Sequence, residues 1–144
     1  MIYTLFLAFV SNYISAQCWK DISCAGDHSL ALRNDGTLWE WGSGTVSPVQ
    51  IGTDTNWASI SDWSGHHLAL KTDSTLWLWG DNQKGQIGNG TLIGVATPTQ
   101  IGNNHWKMAA TGSQATYAIK SDGTLWSWGW NQFGQLGDSS NINK

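Results

Sequence analysis

Gly123-Thr124-Leu125-Trp126-Ser127-Trp128-Gly129 has two near-copies upstream, Gly36-Thr37-Leu38-Trp39-Glu40-Trp41-Gly42 and Ser74-Thr75-Leu76-Trp77-Leu78-Trp79-Gly80. In each copy the tryptophans alternate with other residues, as on a strand, where successive side chains point to opposite faces. Trp39 and Trp41 share one face, with Leu38 and Glu40 on the other. In the second copy the other face holds Leu76 and Leu78, so both faces are apolar. A strand apolar on both faces must be covered on both. Stacked sheets provide that cover; a sandwich with one wet face does not.

Outward from these strands, the repetition extends to longer units. The first is WKDISCAGDHSLALRNDGTLWEWG from Trp19, the second WASISDWSGHHLALKTDSTLWLWG from Trp57, the third WKMAATGSQATYAIKSDGTLWSWG from Trp106. The first two close on Ser47-Pro48-Val49-Gln50-Ile51-Gly52 and Pro98-Thr99-Gln100-Ile101-Gly102. A period of about 50 residues with Trp-Gly signatures indicates a solenoid, a propeller or an array. Four short strands are expected per unit. The first spans about Trp19–Ala25, Trp57–Trp63 and Trp106–Thr111, the second Ser29–Arg33, His67–Lys71 and Thr116–Lys120. The third is Thr37–Trp41, Thr75–Trp79 and Thr124–Trp128, and a short fourth lies at Val49–Ile51 and Thr99–Ile101. Asp35-Gly36 and Asp122-Gly123 are hairpin signals, because glycine takes positive φ cheaply. Asp73-Ser74 stands there in the second unit, so a strained or different turn is expected.

Composition agrees with many short strands. Gly numbers 17, Trp 11 and Pro 2, and charged residues are 12% of 144, about half the usual share. The net charge of -3 and the scattered basic residues offer no patch for phosphates, which disfavours nucleic acid. Cys18 and Cys24 lie too far apart in an extended strand for a disulfide. Cys24 is expected to be buried and Cys18 to be a free thiol.

Residues 1–16 read as a secretory signal peptide, with an apolar run Ile2–Val10 and small residues near Ile14-Ser15-Ala16. The run is too short to span a membrane. A buried first strand and a lipidated Cys18 are the other readings. The expected location is secreted, periplasmic or at the cell surface.

These units resemble the regulator of chromosome condensation repeat. His28-Ser29-Leu30-Ala31-Leu32, the Leu-Trp-x-Trp-Gly strands, and the loops Asn131-Gln132-Phe133-Gly134-Gln135-Leu136-Gly137 and Asn82-Gln83-Lys84-Gly85-Gln86-Ile87-Gly88 carry the resemblance. It covers residues 17–144, with units at about 19–56, 57–105 and an incomplete 106–144. It implies an all-β fold of β-propeller blades, each of four antiparallel strands, with about two and a half to three repeats of the seven in the family's ring. An N-terminal piece of a longer secreted protein is the expectation; several copies assembling into a ring is the alternative.

The residues offer little chemistry. The Asn-Gln-x-Gly-Gln loop lacks the Lys-Ser/Thr of a phosphate-binding loop, and no helix follows it. Asp27, His28 and Ser29 are consecutive, which is not triad geometry. Asp35, Asp73 and Asp122 recur at one turn and read as turn formers. His66 and His67 point to opposite faces of a strand and cannot grip one metal together. His28 and His66 occupy equivalent positions in neighbouring units, which makes a metal between blades conceivable, yet satisfied histidines are the simpler reading. No catalytic residue, metal or cofactor is assigned. Trp39, Trp41, Trp77, Trp79, Trp126 and Trp128 recur in register and are expected in the core. Trp19, Trp57 and Trp106, which open the units, are expected between blades. Trp63 and Trp130 have no counterparts, and with His66 and Phe133 they are the binding candidates, tryptophan being enriched in binding hot spots. The expected role is non-catalytic protein binding through blade loops. A carbohydrate or cell-wall module is the alternative, and guanine-nucleotide exchange, implied by the resemblance alone, comes third. Asn89-Gly90-Thr91 fits a glycosylation sequon.

Overall fold

The computed structural model describes residues 18–63 and 65–144; the signal-peptide reading of 1–16 falls outside them. Eleven strands form three antiparallel sheets, and no helix occurs among the described residues. The first sheet has β1 (Trp19–Ala25), β2 (His28–Arg33), β3 (Leu38–Gly42) and β4 (Thr45–Gln50) in sequential order. The second repeats it with β5 (Trp57–Trp63), β6 (His66–Lys71), β7 (Leu76–Gly80) and β8 (Val95–Gln100). The third holds β9 (Trp106–Gly112), β10 (Ala115–Lys120) and β11 (Leu125–Gly129). These are blades of a partial propeller, with β1, β5 and β9 side by side along one edge.

Packing between blades follows the alternation. Leu30, Leu32 and Leu38 on one face of the first blade meet Trp57, Ala69 and Trp79 of the second. Leu68, Leu70, Leu76 and Leu78 on the far face of the second blade meet Trp106, Ala118 and Trp128 of the third. Each blade therefore has a leucine face and a tryptophan face, and stacking pairs unlike faces. The innermost strands are also stitched together. Asp62 N–H donates to Ser23 Oγ at 2.9 Å, and Thr111 N–H donates to the equivalent Ser61 Oγ at 3.0 Å.

The hairpin turns share one network. Asp35 Oδ1 accepts from the Thr37 N–H (3.0 Å) and hydroxyl (2.6 Å), and Thr37 Oγ1 accepts from Trp39 Nε1 (2.8 Å). Asp73, Thr75 and Trp77 repeat it, as do Asp122, Thr124 and Trp126. These hydrogen bonds, led by those from the threonine hydroxyls, hold all three carboxyls below the usual carboxylate range. The second turn keeps the same shape, with Ser74 at φ 67° where the others have glycine. A basic residue beside each turn clamps an indole. Arg33 lies over Trp39 (4.9 Å), Lys71 over Trp77 (3.9 Å) and Lys120 over Trp126 (3.9 Å).

Several expectations need correction. The third strands begin at Leu38, Leu76 and Leu125, because the preceding threonines belong to the turns. The fourth strands are six residues long and start earlier than expected. They form the outer edge of the first two sheets and carry polar, mostly exposed residues with a proline, which hides them from a hydrophobic reading. Cys24 is exposed, because among the described residues no strand covers its face of β1; Cys18 is free and exposed. Trp126 is not a core residue. It is 50% exposed, whereas Trp79 is buried. Among the described residues no fourth strand pairs with β11, and Trp126 borders an open groove of about 810 Å³ with Trp106, Trp128 and Leu92. Trp39, Trp41, Trp77 and Trp128 are partly buried, as is Trp19, and Trp57 and Trp106 are buried.

Candidate functional site

The two ends of the blades differ. One end carries the three repeated Asp turns. The other carries the β1–β2, β5–β6 and β9–β10 hairpins together with the connections that follow each Trp-Gly. Those connections are unequal: residues 43–44 join β3 to β4, while residues 81–94 join β7 to β8. Trp-Gly must end in glycine here. A Cβ at Gly42 would lie 2.1 Å from the Asp27 carbonyl oxygen and one at Gly80 would lie 2.2 Å from that of Gly65. The close approach locks each connection to the neighbouring hairpin.

Buried asparagines shape the longer loops. Asn82 Nδ2 donates to Asn89 Oδ1 (3.1 Å) and to the carbonyls of Thr91 (2.9 Å) and Ile93 (3.1 Å), while its Oδ1 accepts from Ile87 N–H (2.9 Å). Asn131 does the same with Asp138, Ser140, Ile142 and Leu136. The glycine-rich loop is thus wrapped around an amide, with its polar groups turned inward. Asp138 is held down to about 2, mainly by the Ser140 hydroxyl and also by Asn131 and Lys144.

On this frame the third loop displays aromatics. Phe133 is 80% exposed and meets Trp130 edge-on, with ring centroids 5.2 Å apart and planes at 80°. In the second loop Asp81 and Lys84 occupy the equivalent positions. Trp63, at the end of β5, is 49% exposed on the same end of the blades. His66 drops out of the surface set: it is fully buried between the second and third blades. Its Nε2 faces Thr116 Oγ1 at 3.3 Å, and the Thr116 hydroxyl is committed to the Gln86 carbonyl at 2.7 Å. The His66 proton therefore sits on Nε2, and burial lowers its pKa from the ordinary value to about 4.

The polar cluster that forms at this end pairs His28 with His67, not with His66. His67 Nδ1 lies 2.7 Å from Asp62 Oδ1 and His28 Nδ1 lies 3.3 Å from Asp62 Oδ2. Strand alternation explains it: His67 faces the first blade and His66 the third. Among the described residues no hydroxyl or thiol is hydrogen-bonded to the far nitrogen of His67. No helix among them is long and apolar enough to cross a membrane.

The comparisons agree with this geometry. No curated protein matches the chain. Among solved structures, human WBSCR16 is similar at 23% identity and a TM-score of 0.73, over 88% of this chain and 37% of that one. Prp20p from Saccharomyces cerevisiae, described with its binding properties to Gsp1p and histones, is similar at 22% identity and a TM-score of 0.77, over 88% and 36%. Yeast RCC1 (Prp20) in a structure with bound Kap60 gives 22% and 0.76, over 88% and 35%. The chain thus spans little more than a third of these relatives, and the likeness is one of fold. One model of the regulator of chromosome condensation (RCC1) repeat matches residues 19–46 and 107–135, and a second model of the same repeat matches 73–119. Together they cover most of the three blades, and the chain belongs to the regulator of chromosome condensation repeat family.

Proposed function

We propose that this chain is a secreted, non-catalytic module that binds another protein through the loop end of its blades, with Phe133, Trp130 and Trp63 as contacts. The observation that carries the reading is Phe133, a large apolar ring left exposed on a loop held rigid by the buried Asn131. Aromatic side chains displayed on a rigid frame are efficient anchors, because little entropy remains to be lost on binding. Their positions are those at which the repeats disagree, where a shared scaffold would carry an individual function. Secretion is supported by the apolar run and small residues within 1–16.

Glycan binding is the second reading, supported by the half-exposed indole of Trp63, a surface on which a sugar ring can stack. Guanine-nucleotide exchange has only the family likeness behind it. The test is capture from culture supernatant with the wild-type chain and with Trp63→Ala/Phe133→Ala, alongside a glycan array. A protein retained by the wild type and lost by the variant supports the proposal. Glycan binding that the variant loses, with no protein retained, replaces it with the second reading. Equal capture by both chains removes the aromatic surface from the account.

A further inference from the structure

The junction between the first two blades differs from the next one in a specific way. Four register positions meet at each. At the second junction they are His66, Leu78, Thr111 and Thr116; at the first they are His28, Glu40, Asp62 and His67. Among the four positions of the second junction one hydrogen bond forms, between His66 and Thr116, and the two threonines otherwise bond to the uncharged Ser61 and to the Gln86 carbonyl of the second blade. Stacking two blades therefore needs none of the charged groups found at the first. Yet leucine is replaced there by Glu40, and two threonines by Asp62 and His67.

The ionisable groups converge. One ligand atom each from His28, Asp62 and His67 lies within 4.8 Å of the others. The two imidazoles lie 4.6 Å apart between centroids, and Trp79 backs the His67 ring at 5.3 Å. The Asp62 carboxylate is fully enclosed, and among the described residues no lysine or arginine reaches it. A buried carboxylate without a permanent cation is costly. His28 presents Nδ1 to this centre, while its Nε2 faces Glu40 Oε2 at 3.5 Å. With the ring proton on Nε2, toward Glu40, the inner nitrogen is left as a ligand, the arrangement usual behind a metal-bound histidine.

We propose that His28 Nδ1, His67 Nδ1 and the Asp62 carboxylate form a site for a divalent transition cation of the zinc type, oriented by Glu40 and bridging the first and second blades. Two imidazoles and a carboxylate suit zinc, whose bonds to them are about 2.0–2.2 Å. Binding requires the His67 ring proton to move from Nδ1 to Nε2 by exchange with solvent, which leaves a neutral imidazole ligating through Nδ1, and modest side-chain rotation closes the donors around the ion. The partly exposed His28 and Glu40 side chains give a path of entry and leave a coordination position for water.

The test is titration of the untagged full chain with zinc chloride by calorimetry and thermal unfolding. One zinc ion per chain and a raised Tm are expected. Asp62→Thr/His67→Thr installs the residues of the second junction and should fold without binding. Glu40→Gln should weaken binding about 10–100-fold while leaving the stoichiometry. The absence of zinc binding by the wild type, or undiminished binding by the double variant, overturns the proposal. Should the double variant fail to fold, the cobalt(II) spectrum of the wild type decides. Nitrogen and oxygen ligand-field bands without thiolate charge transfer are expected; a thiolate band would place the ion on Cys18 or Cys24 instead.

Discussion

Leu76 and Leu125 occupy the same register position in successive blades and should respond very differently to truncation. Leu76 is fully buried against the third blade, whereas Leu125 is 69% exposed. Leu76→Ala removes three buried carbons, worth about 2.5 kcal/mol at ~0.8 kcal/mol each. The cavity left between two rigid sheets raises this to about 3–4 kcal/mol. At Leu125 less than a third of the same surface is hidden, so the cost falls below about 1 kcal/mol. Urea unfolding followed by tryptophan fluorescence and by circular dichroism measures both, provided the two probes coincide. Equal losses at the two positions would refute the reasoning, because they would mean that the leucine face of the third blade is covered. Concentration-dependent unfolding would then identify the cover as another copy of the chain.

Three further outcomes follow from the same structure. Ser74→Gly should stabilise by up to about 1 kcal/mol, by relieving a left-handed serine against a smaller entropy cost; the converse Gly36→Ser should destabilise, since its Cβ would lie 2.0 Å from the Thr55 carbonyl oxygen. Asn131→Ala should cost about 1–3 kcal/mol and open the loop from 131 to 142 to limited proteolysis, with partner binding falling in parallel. His66, lowered to about 4 by burial, contributes stability above its unfolded pKa of about 6.5 that is lost as pH falls toward 4. The loss is on the order of 3 kcal/mol, and His66→Asn should flatten that part of the stability–pH curve measured in EDTA.

The blade was legible in sequence because its periodicity is strong. Leu38 and Trp39, and their copies, announce two faces, and the structure pairs the leucine face of one blade with the tryptophan face of the next. The polar edge strands were harder: in Thr45–Gln50 nothing is buried, so hydrophobicity carries no signal for their length. The cation–indole clamps have a cue in the sequence, a basic residue two positions before each turn aspartate: Arg33, Lys71 and Lys120. The exposure of Cys24 and Trp126 could not come from local pattern, because it depends on which neighbouring strands cover them. The same holds for the histidine cluster. Equivalence by position pairs His28 with His66, but contact across a blade junction joins opposite faces, which brings His28 to His67 and Asp62. The aromatic candidates divided for a similar reason: Phe133 and Trp130 lie on one loop and meet, while His66 faces inward from a strand.

The most direct test of the central claim is hydrogen exchange of the chain with and without the captured protein partner. Protection on binding should concentrate at residues 62–66 and 130–136, at the loop end of the blades, and leave the outer strands β4 and β8 unchanged. Protection confined to β4 and β8, or to the end bearing the Asp turns, would contradict the account.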